Sequence, residues 1–247
     1  MGHYSSQIQD EVRLERMRPS QIDAARSRRP AIYLPFGAME WHGYHNPVWL
    51  DCLKAHEQLV GLALKVGGVV YPSVYFGSEG GHGDWPHSYM VSAEAMTTIV
   101  SELLTGFERD GYEAAILVSG HYPNRGQYLD AGIERFREAG GKMRALAILE
   151  NQVEGIDGDH AAKYETASLM FLDPDTQDLS TLEQQDDVGG PDEKINWMDP
   201  SFEGHPCYGL VGIDPRQHAT REVGQSSSER LIDRLQAWLD GEDFPES

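Results

Sequence analysis

The chain has 247 residues, 40% of them hydrophobic, a length and composition that suit one α/β domain with a sizeable core. Its 20 Lys and Arg against 40 Asp and Glu give a formal net charge of −20, which disfavours nucleic acid and anionic membrane surfaces as partners. The sequence shows neither an apolar run long enough to cross a membrane nor a secretory signal, so it predicts a cytoplasmic protein whose partners are neither nucleic acid nor membrane.

Apolar periodicity predicts strands that alternate with helices along most of the chain. The predicted strands are 31–35, 69–74, 113–119 and 143–149, and the predicted helices are 18–29, 52–66, 92–110, 124–139, 160–172 and 223–239. This alternation is typical of a mostly parallel sheet covered by helices on both faces. Residues 173–207 are polar and contain Gly and Pro, which indicates a long excursion or lid rather than a second domain. We therefore expect a single domain over residues 1–247.

Side chains of the types that bind metals follow the ends of the predicted strands. Glu40 and His42 follow the first strand, with Asp51 at the start of the next helix, and His121 follows the third strand. Ligands of parallel sheets bind beyond the carboxyl ends of the strands, and imidazoles and carboxylates are ligands for divalent ions. Glu40 and His42 are two positions apart, so in extended backbone their side chains point the same way. The pattern predicts a metal site at this edge of the sheet.

Each of these residues also has an ordinary structural interpretation when it is taken alone. A polar residue just before a helix is commonly an N-cap, which fits Asp51, Asp159 and Asn124. A single histidine such as His42 or His45 is more often hydrogen-bonded within the protein than bound to a metal. The residues as a set still favour a metal site, because ligands of both chemical types follow one strand.

The segment after the fourth strand adds residues suited to acid–base chemistry. If this helix begins near Ala161 rather than at residue 160, His160 lies in the loop before it and Glu165 on its first turn, so both can face one cavity. A carboxylate beside a histidine can orient the imidazole and stabilise its charged form. We therefore predict His160 as an acid–base residue that is oriented by Asp159.

Four blocks of the sequence, in this order, resemble the creatininase (creatinine amidohydrolase) family. They are 34–45 (LPFGAMEWHGYH) with Asp51, 119–124 (SGHYPN), 159–161 (DHA) with 165–168 (ETAS), and 209–215 (GLVGIDP) with 219–222 (ATRE). Several ordered blocks are more specific than any one of them. The resemblance implies a Rossmann-like, three-layer α/β sandwich of the creatininase type, forming a homo-oligomer that is a hexamer or a dimer.

The same resemblance implies two divalent metal ions per chain, Zn or Mn, and hydrolysis of amide bonds that are frequently cyclic. Carried over residue by residue, Glu40 and His121 hold one ion and His42 holds the other. Asp51 bridges the two ions, and His160 matches the acid–base histidine of the family.

The chain departs from the family pattern at the second ion. Creatininase itself has a Glu two residues after the histidine equivalent to His121, where this chain has Pro123, which has no ligand atom in its side chain. Glu165, in the segment usually read E-T-S, is the natural replacement. We therefore predict Glu165 as the fifth metal ligand.

A second departure concerns the substrate. The F-P-G-T segment usual after the second strand reads W-P-H-S-Y here, from Trp85 to Tyr89, which argues against creatinine itself. The donors of this region suggest a polar ligand such as a polyol or a sugar-like ring, although polar loop residues are as often merely solvated; they are His82, Asp84, His87 and Ser88. We predict four substrate-binding residues: Tyr122, His82, Trp85 and His87.

These expectations lead to one main function and two alternatives. Two close cations polarise a carbonyl group and lower the pKa of a bridging water, which predicts a dinuclear metal hydrolase that cleaves an amide or C–N bond of a small, polar, cyclic substrate through a metal-bridged hydroxide. The first alternative is hydrolytic C–C ring opening of a cyclic keto-polyol such as a keto-inositol, the reaction of a 3-dehydro-scyllo-inosose hydrolase. The second is a metal-binding partner protein of the same fold without catalytic activity.

Overall fold

A single parallel sheet organises the protein, whose computed structural model describes residues 1–183 and 189–243. The strands of this sheet are β1 (Ala31–Phe36), β2 (Val69–Val70), β3 (Ala114–Ser119) and β4 (Arg144–Leu149). Their spatial order is β2-β1-β3-β4, and every neighbouring pair is parallel. Because all four strands run the same way, their carboxyl ends lie at one edge of the sheet.

Helices connect the strands, and a small antiparallel pair stands apart from the main sheet. The helices are α1 (Pro19–Arg28), α2 (Leu50–Val66), α3 (Ala93–Arg109), α4 (Asp130–Glu138), α5 (Lys163–Leu172), α6 (Pro215–His218) and α7 (Arg221–Leu239). Strands β5 (Lys194–Asn196) and β6 (Val211–Ile213) form the antiparallel pair. No helix within the described parts of the chain is long and apolar enough to span a membrane.

The sheet is buried on both faces, so the molecule has three layers. Ile32, Leu34 and Phe36 of β1 pack with apolar residues of α3 and α4. The alternate residues Ala31 and Tyr33 pack with α2 and α7 on the opposite face. Successive side chains of a strand point to opposite faces, so a strand between two helical layers needs the continuous apolar run that was seen in the sequence. The predicted Rossmann-like α/β sandwich with a mostly parallel sheet is confirmed.

The structure corrects the bounds of three predicted elements. The second strand ends at Val70 rather than at residue 74, because Pro72 has no N–H group with which to continue the ladder. Helix α5 begins at Lys163 rather than at residue 160, because His160 pairs with Val211 in extended backbone and Ala161 has a φ of +52°. The helix predicted over 124–139 begins with a π-type turn, Arg125–Leu129, before α4.

The polar segment 173–207 folds back against the body of the protein. It contains short 3₁₀ turns, and its strand β5 pairs with β6, which lies beyond it in the chain. Trp197 is buried there with Cys207 and Leu210 in a small apolar cluster. Residues 184–188 of this segment lie outside the described part of the chain, and its role as a lid stays a prediction.

Gly120 allows the end of β3 to approach the start of α2 closely. A Cβ atom at this position would overlap the main-chain oxygen of Asp51 and would lie 2.7 Å from its Cα atom. Backbone atoms of a helix cannot move aside as the end of a side chain can. Only a glycine therefore permits this approach, which brings Asp51 beside the residues that follow β3.

We expect Gly120→Ala to lower the free energy of unfolding by about 1–3 kcal/mol, the usual cost of overpacking. Gly126→Ala is the matched control, because a Cβ atom there meets nothing within 4 Å. Denaturant titration of both variants measures the difference. Equal stability of the two variants would contradict the close approach at Gly120.

Candidate metal centre

The five residues predicted as metal ligands meet in one buried group at the carboxyl edge of the sheet. The Nε2 atom of His42 lies 3.2 Å from Asp51 Oδ1 and 3.6 Å from Glu165 Oε2. The Nδ1 atom of His121 lies 2.8 Å from Glu40 Oε2 and 3.4 Å from Asp51 Oδ2. Asp51 thus directs one oxygen to each of two groups, Glu40 with His121 and His42 with Glu165.

Main-chain carbonyl groups fix the tautomers of the histidines around this group. A carbonyl oxygen only accepts hydrogen bonds, so the ring nitrogen that faces it must be the N–H donor. When the imidazole is neutral, its other ring nitrogen has a free lone pair, as in most metal-binding histidines. The donor and acceptor pairs are His42 Nδ1 with Glu40 O (2.9 Å), His121 Nε2 with Glu79 O (3.0 Å), His82 Nε2 with Gly209 O (2.7 Å) and His160 Nε2 with Trp41 O (2.8 Å).

Two buried atoms of this group lack a hydrogen-bond partner among the described residues, His42 Nε2 and Asp51 Oδ2. Buried polar atoms are almost always paired, and leaving one unpaired costs about 1–3 kcal/mol. Both atoms are of ligand type and face other ligand atoms, so a cation between them satisfies the whole set. The residues present therefore fit divalent metal ions.

The electrostatics of the group favour positive charge at the histidines. Burial alone would lower the pKa of His42, but Asp51 and then Glu165 outweigh it and raise that pKa to about 9. Burial likewise opposes the charged form of His121, yet the adjacent carboxylates of Asp51 and Glu40 raise its pKa to about 10. Burial favours the neutral form of Asp51, but the two imidazoles outweigh this effect. The pKa of Asp51 therefore lies well below its usual value.

His160 lies in the middle of a stack of three imidazole rings. Its ring centroid is 3.7 Å from that of His82 and 4.6 Å from that of His42. Burial lowers the pKa of His160 well below its usual value, and the two neighbouring imidazoles act in the same direction. His160 is therefore neutral, with Nε2 donating to Trp41 and Nδ1 available to accept a proton.

The structure corrects the predicted role of Asp159. Its carboxylate accepts hydrogen bonds from the backbone N–H groups of Tyr164, at 2.7 Å, and Glu165, at 3.1 Å. The ring of His160 is held instead by the carbonyl of Trp41. Unpaired N–H groups at a helix start attract a carboxylate more strongly than a neutral ring does. Asp159 therefore caps α5 and fixes the backbone of Glu165 rather than orienting His160.

The structure also decides between a metal-binding and an ordinary structural role for three other polar residues. Asp51 is not an N-cap, since it lies within the first turn of α2, after the N-cap residue Trp49, and its side chain faces the imidazoles. Asn124 is not one either, because its amide group hydrogen-bonds Gly37 O and Ser119 Oγ. His45 is a hydrogen-bonded structural histidine, with its Nε2 2.9 Å from Thr166 Oγ1.

The sequence analysis missed a buried network behind the candidate ligands. Lys54 is fully buried, and its Nζ atom lies 2.6 Å from Glu150 Oε1 and 2.7 Å from Glu165 Oε1. Gln58 donates to Glu150 Oε2 at 3.0 Å. The spacing of Asp51, Lys54 and Gln58 places all three on one face of α2, but it does not indicate that Lys54 is buried.

A cavity of about 490 Å³ opens onto the ligand group, within the usual size range of small-molecule sites. Gly80 lies at its wall, where a Cβ atom would come within 2.9 Å of the His121 ring. The residues that line the cavity beside the ligands include His82, Tyr122, Asn151, His160, Lys194 and Met198. His82 and Tyr122, two of the four predicted substrate contacts, are therefore part of the cavity lining.

The other predicted substrate contacts lie outside the cavity lining. Trp85 packs on the His82 ring, with centroids 5.1 Å apart, and on Tyr208. His87 is exposed on a turn with a φ of +64°. The hydroxyl group of Ser88 accepts from the Trp41 N–H at 3.0 Å. The loop that carries His82, Trp85 and His87 no longer lines the cavity after His82, which the sequence could not reveal.

A sequence profile described as "Creatininase: Creatinine amidohydrolase" matches residues 15–239. The chain belongs to the creatininase family. Its membership makes it a metal-dependent hydrolase and confirms the resemblance of the four sequence blocks. The creatinine amidohydrolase of Pseudomonas putida is 23% identical to it in an alignment that covers 78% of this chain and 82% of that protein.

Solved structures of this family share the fold. A crystal structure of creatinine amidohydrolase (creatininase) superposes with a TM-score of 0.75 at 23% identity, covering 96% of this chain and all of that one. A putative creatinine amidohydrolase from Bacteroides fragilis NCTC 9343 gives 0.72 at 20% identity, over 97% of this chain and all of that one. Two further creatininase structures, a Zn-Zn variant and an Mn form, each give 0.76 at 22% identity over 96% of this chain and all of theirs.

Binding of divalent ions should release protons from this family member at neutral pH. The metal-free His42 and His121, with pKa values of about 9 and 10, are protonated at pH 7, and ligation requires neutral imidazoles. We expect metal affinity to rise with pH up to about pH 10 and proton release to vanish above it. Calorimetric titration with zinc in buffers of different ionisation enthalpy measures the release.

The control for this titration is His42→Ala, which should release about one proton fewer than the parent chain. A heat of binding at pH 7 that does not depend on the buffer would contradict the predicted charge state of the two imidazoles.

Proposed function

We propose that the protein is a dinuclear metal hydrolase that cleaves an amide or other C–N bond of a small, polar, cyclic substrate. The observation that supports it most directly is the carboxylate of Asp51, which faces both ligand groups and whose Oδ2 atom, like His42 Nε2, is buried with no hydrogen-bond partner in the described part of the chain. A carboxylate that directs one oxygen to each of two ligand groups is suited to bridge two ions.

The proposed ligand sets follow the two sides of Asp51. Glu40 and His121 would hold one ion together with Asp51, and His42 and Glu165 would hold the other, also with Asp51. Glu165 supplies the second-site carboxylate that the chain lacks at Pro123. Several buried carboxylates so close together are costly unless cations offset their charge. Zinc and manganese are the ions suited to this mixed histidine and carboxylate set.

The bound ions supply Lewis acidity, which polarises the substrate carbonyl and lowers the pKa of water at the site. Hydrolysis of the C–N bond also moves one proton from the attacking water to the leaving nitrogen. His160 is suited to this transfer, because it is neutral and its Nδ1 atom is available as an acceptor. It therefore acts first as a base and then donates the same proton to the leaving group.

The substrate occupies the cavity beside the ligands. His82, Tyr122 and Asn151 offer polar contacts there, and Lys194 adds a cation at the lining. A cyclic amide of the creatinine type fits this setting, because the relatives of the chain are creatinine amidohydrolases. The keto-polyol alternative is supported by the same polar lining but loses the contacts expected from His87, so the cyclic amide is favoured.

An assembly of identical chains is the partner that we propose. Several large aromatic side chains are exposed on the loops near the carboxyl edge of the sheet, with relative exposures of 40% for Trp49, 53% for Phe76 and 63% for Tyr89. Clustered exposed aromatic residues commonly mark protein interfaces. Sedimentation analysis should therefore show a hexamer or a dimer, and a monomer at micromolar concentration would contradict this proposal.

The metal content of the purified chain is the first test of the function. We expect about two Zn or Mn ions per chain in the parent and about one in Glu165→Ala, because the variant lacks a ligand of the second site. Glu154→Ala is the matched control, since Glu154 is exposed, and it should keep both ions. Elemental analysis of untagged protein gives the numbers.

Activity assays on cyclic amides and on cyclic keto-polyols then separate the candidate reactions. Glu40→Ala and Asp51→Ala should abolish turnover together with tight metal binding, because each removes a ligand of the ion pair. A parent chain that stays free of metal after reloading would overturn the hydrolase proposal and favour a partner protein of the same fold without catalytic activity.

A further inference from the structure

Lys54 is a fully buried cation directly behind one of the proposed ion sites. Its ammonium group contacts Glu150 at 2.6 Å and Glu165 at 2.7 Å, through the Oε1 atom of each. A buried ammonium group is costly unless its donors are all well placed. Its position one helical turn after Asp51 links it to the same face of α2 that carries the bridging carboxylate.

The far side of Lys54 is held rigidly. Glu150 accepts from Gln58 Nε2 at 3.0 Å through Oε2, and from the Tyr122 hydroxyl group at 3.3 Å through Oε1. The ammonium group also lies over the Tyr122 ring, 5.0 Å from its centroid. Glu150 and Tyr122 therefore fix the position of the Lys54 ammonium group, and with it the direction in which its other N–H groups can donate.

The contact between Lys54 and Glu165 determines which carboxylate oxygen of Glu165 is available to bind an ion. Lys54 occupies Oε1, whereas Oε2 accepts from the Ala161 N–H at 2.7 Å and lies 3.6 Å from His42 Nε2. The carboxylate therefore cannot rotate without breaking a buried charge-assisted hydrogen bond. Only Oε2 remains on the side of His42.

We propose that Lys54 is a positioning residue for the second ion, holding Glu165 as a ligand that binds through one oxygen. This inference rests on the proposed function, because it takes Glu165 as a ligand of that ion. Among the described residues, the ion pairs of Lys54 are with Glu150 and Glu165, so we expect its main effect at the site formed by His42 and Glu165.

A simpler role for Lys54 would be to balance the charge of Glu150 in the interior. The two roles differ when both charges are removed together. Lys54→Met alone leaves Glu150 without a cation, whereas Lys54→Met with Glu150→Gln removes one positive and one negative charge and leaves the net charge as in the parent chain. Only the positioning role predicts a defect in the double variant.

The experiment is a stepwise zinc titration of the metal-free full-length chain in competition with a chelator. We expect the second ion to bind about 10- to 100-fold more weakly in both the single and the double variant, the usual effect of removing a group that orients a ligand. The first ion should bind as in the parent. His42→Ala gives the benchmark for complete loss of the second site.

The outcomes separate this proposal from the proposed function. A double variant that binds both ions as tightly as the parent would leave Lys54 only the charge-balancing role and overturn the inference. A parent chain that binds fewer than two ions would instead contradict the dinuclear function, and the ligand role of Glu165 with it. If Lys54→Met alone fails to fold, the double variant, which removes the unpaired charge of Glu150, decides the question.

Discussion

The carboxylate of Asp51 is the contact on which the geometry of the site depends. It is buried in the first turn of α2, and its two oxygens face histidines that come from different parts of the chain, His42 after β1 and His121 after β3. This convergence requires that α2 start almost in contact with the end of β3, where Gly120 leaves room for the helix backbone. The site is thus set by backbone packing before any ion arrives.

The parallel sheet also determines where the residues of the site lie. Its strands end at one edge, so loops that are distant in sequence deliver their side chains to a common volume. The helical layers exclude water from the base of this volume, and the charges there act on one another at low dielectric. The raised pKa values of His42 and His121 and the lowered pKa of Asp51 result from these charge interactions, which outweigh the opposing effect of burial.

Much of this arrangement could be predicted from sequence, because strand ends and ligand types are local signals. Glu40 and His121 were identifiable from their residue type and their place after an apolar run. Lys54 was not, since a lysine on an amphipathic helix is normally a surface residue, and only the packing of α2 against α5 shows its burial. The path of the loop after His82 was equally inaccessible, because polar loops give no periodic signal.

The main-chain partners of the histidine rings have an evolutionary consequence. The N–H groups of His42, His82, His121 and His160 all point to carbonyl oxygens, which no substitution can delete. The backbone conformation of the loops, rather than the neighbouring side chains, therefore sets the direction of the lone pair on each ring. Residues of the cavity wall such as Met198 and Lys194 can therefore be substituted without changing the orientation of the histidine rings. A lineage can change what it recognises while its reactive centre stays intact.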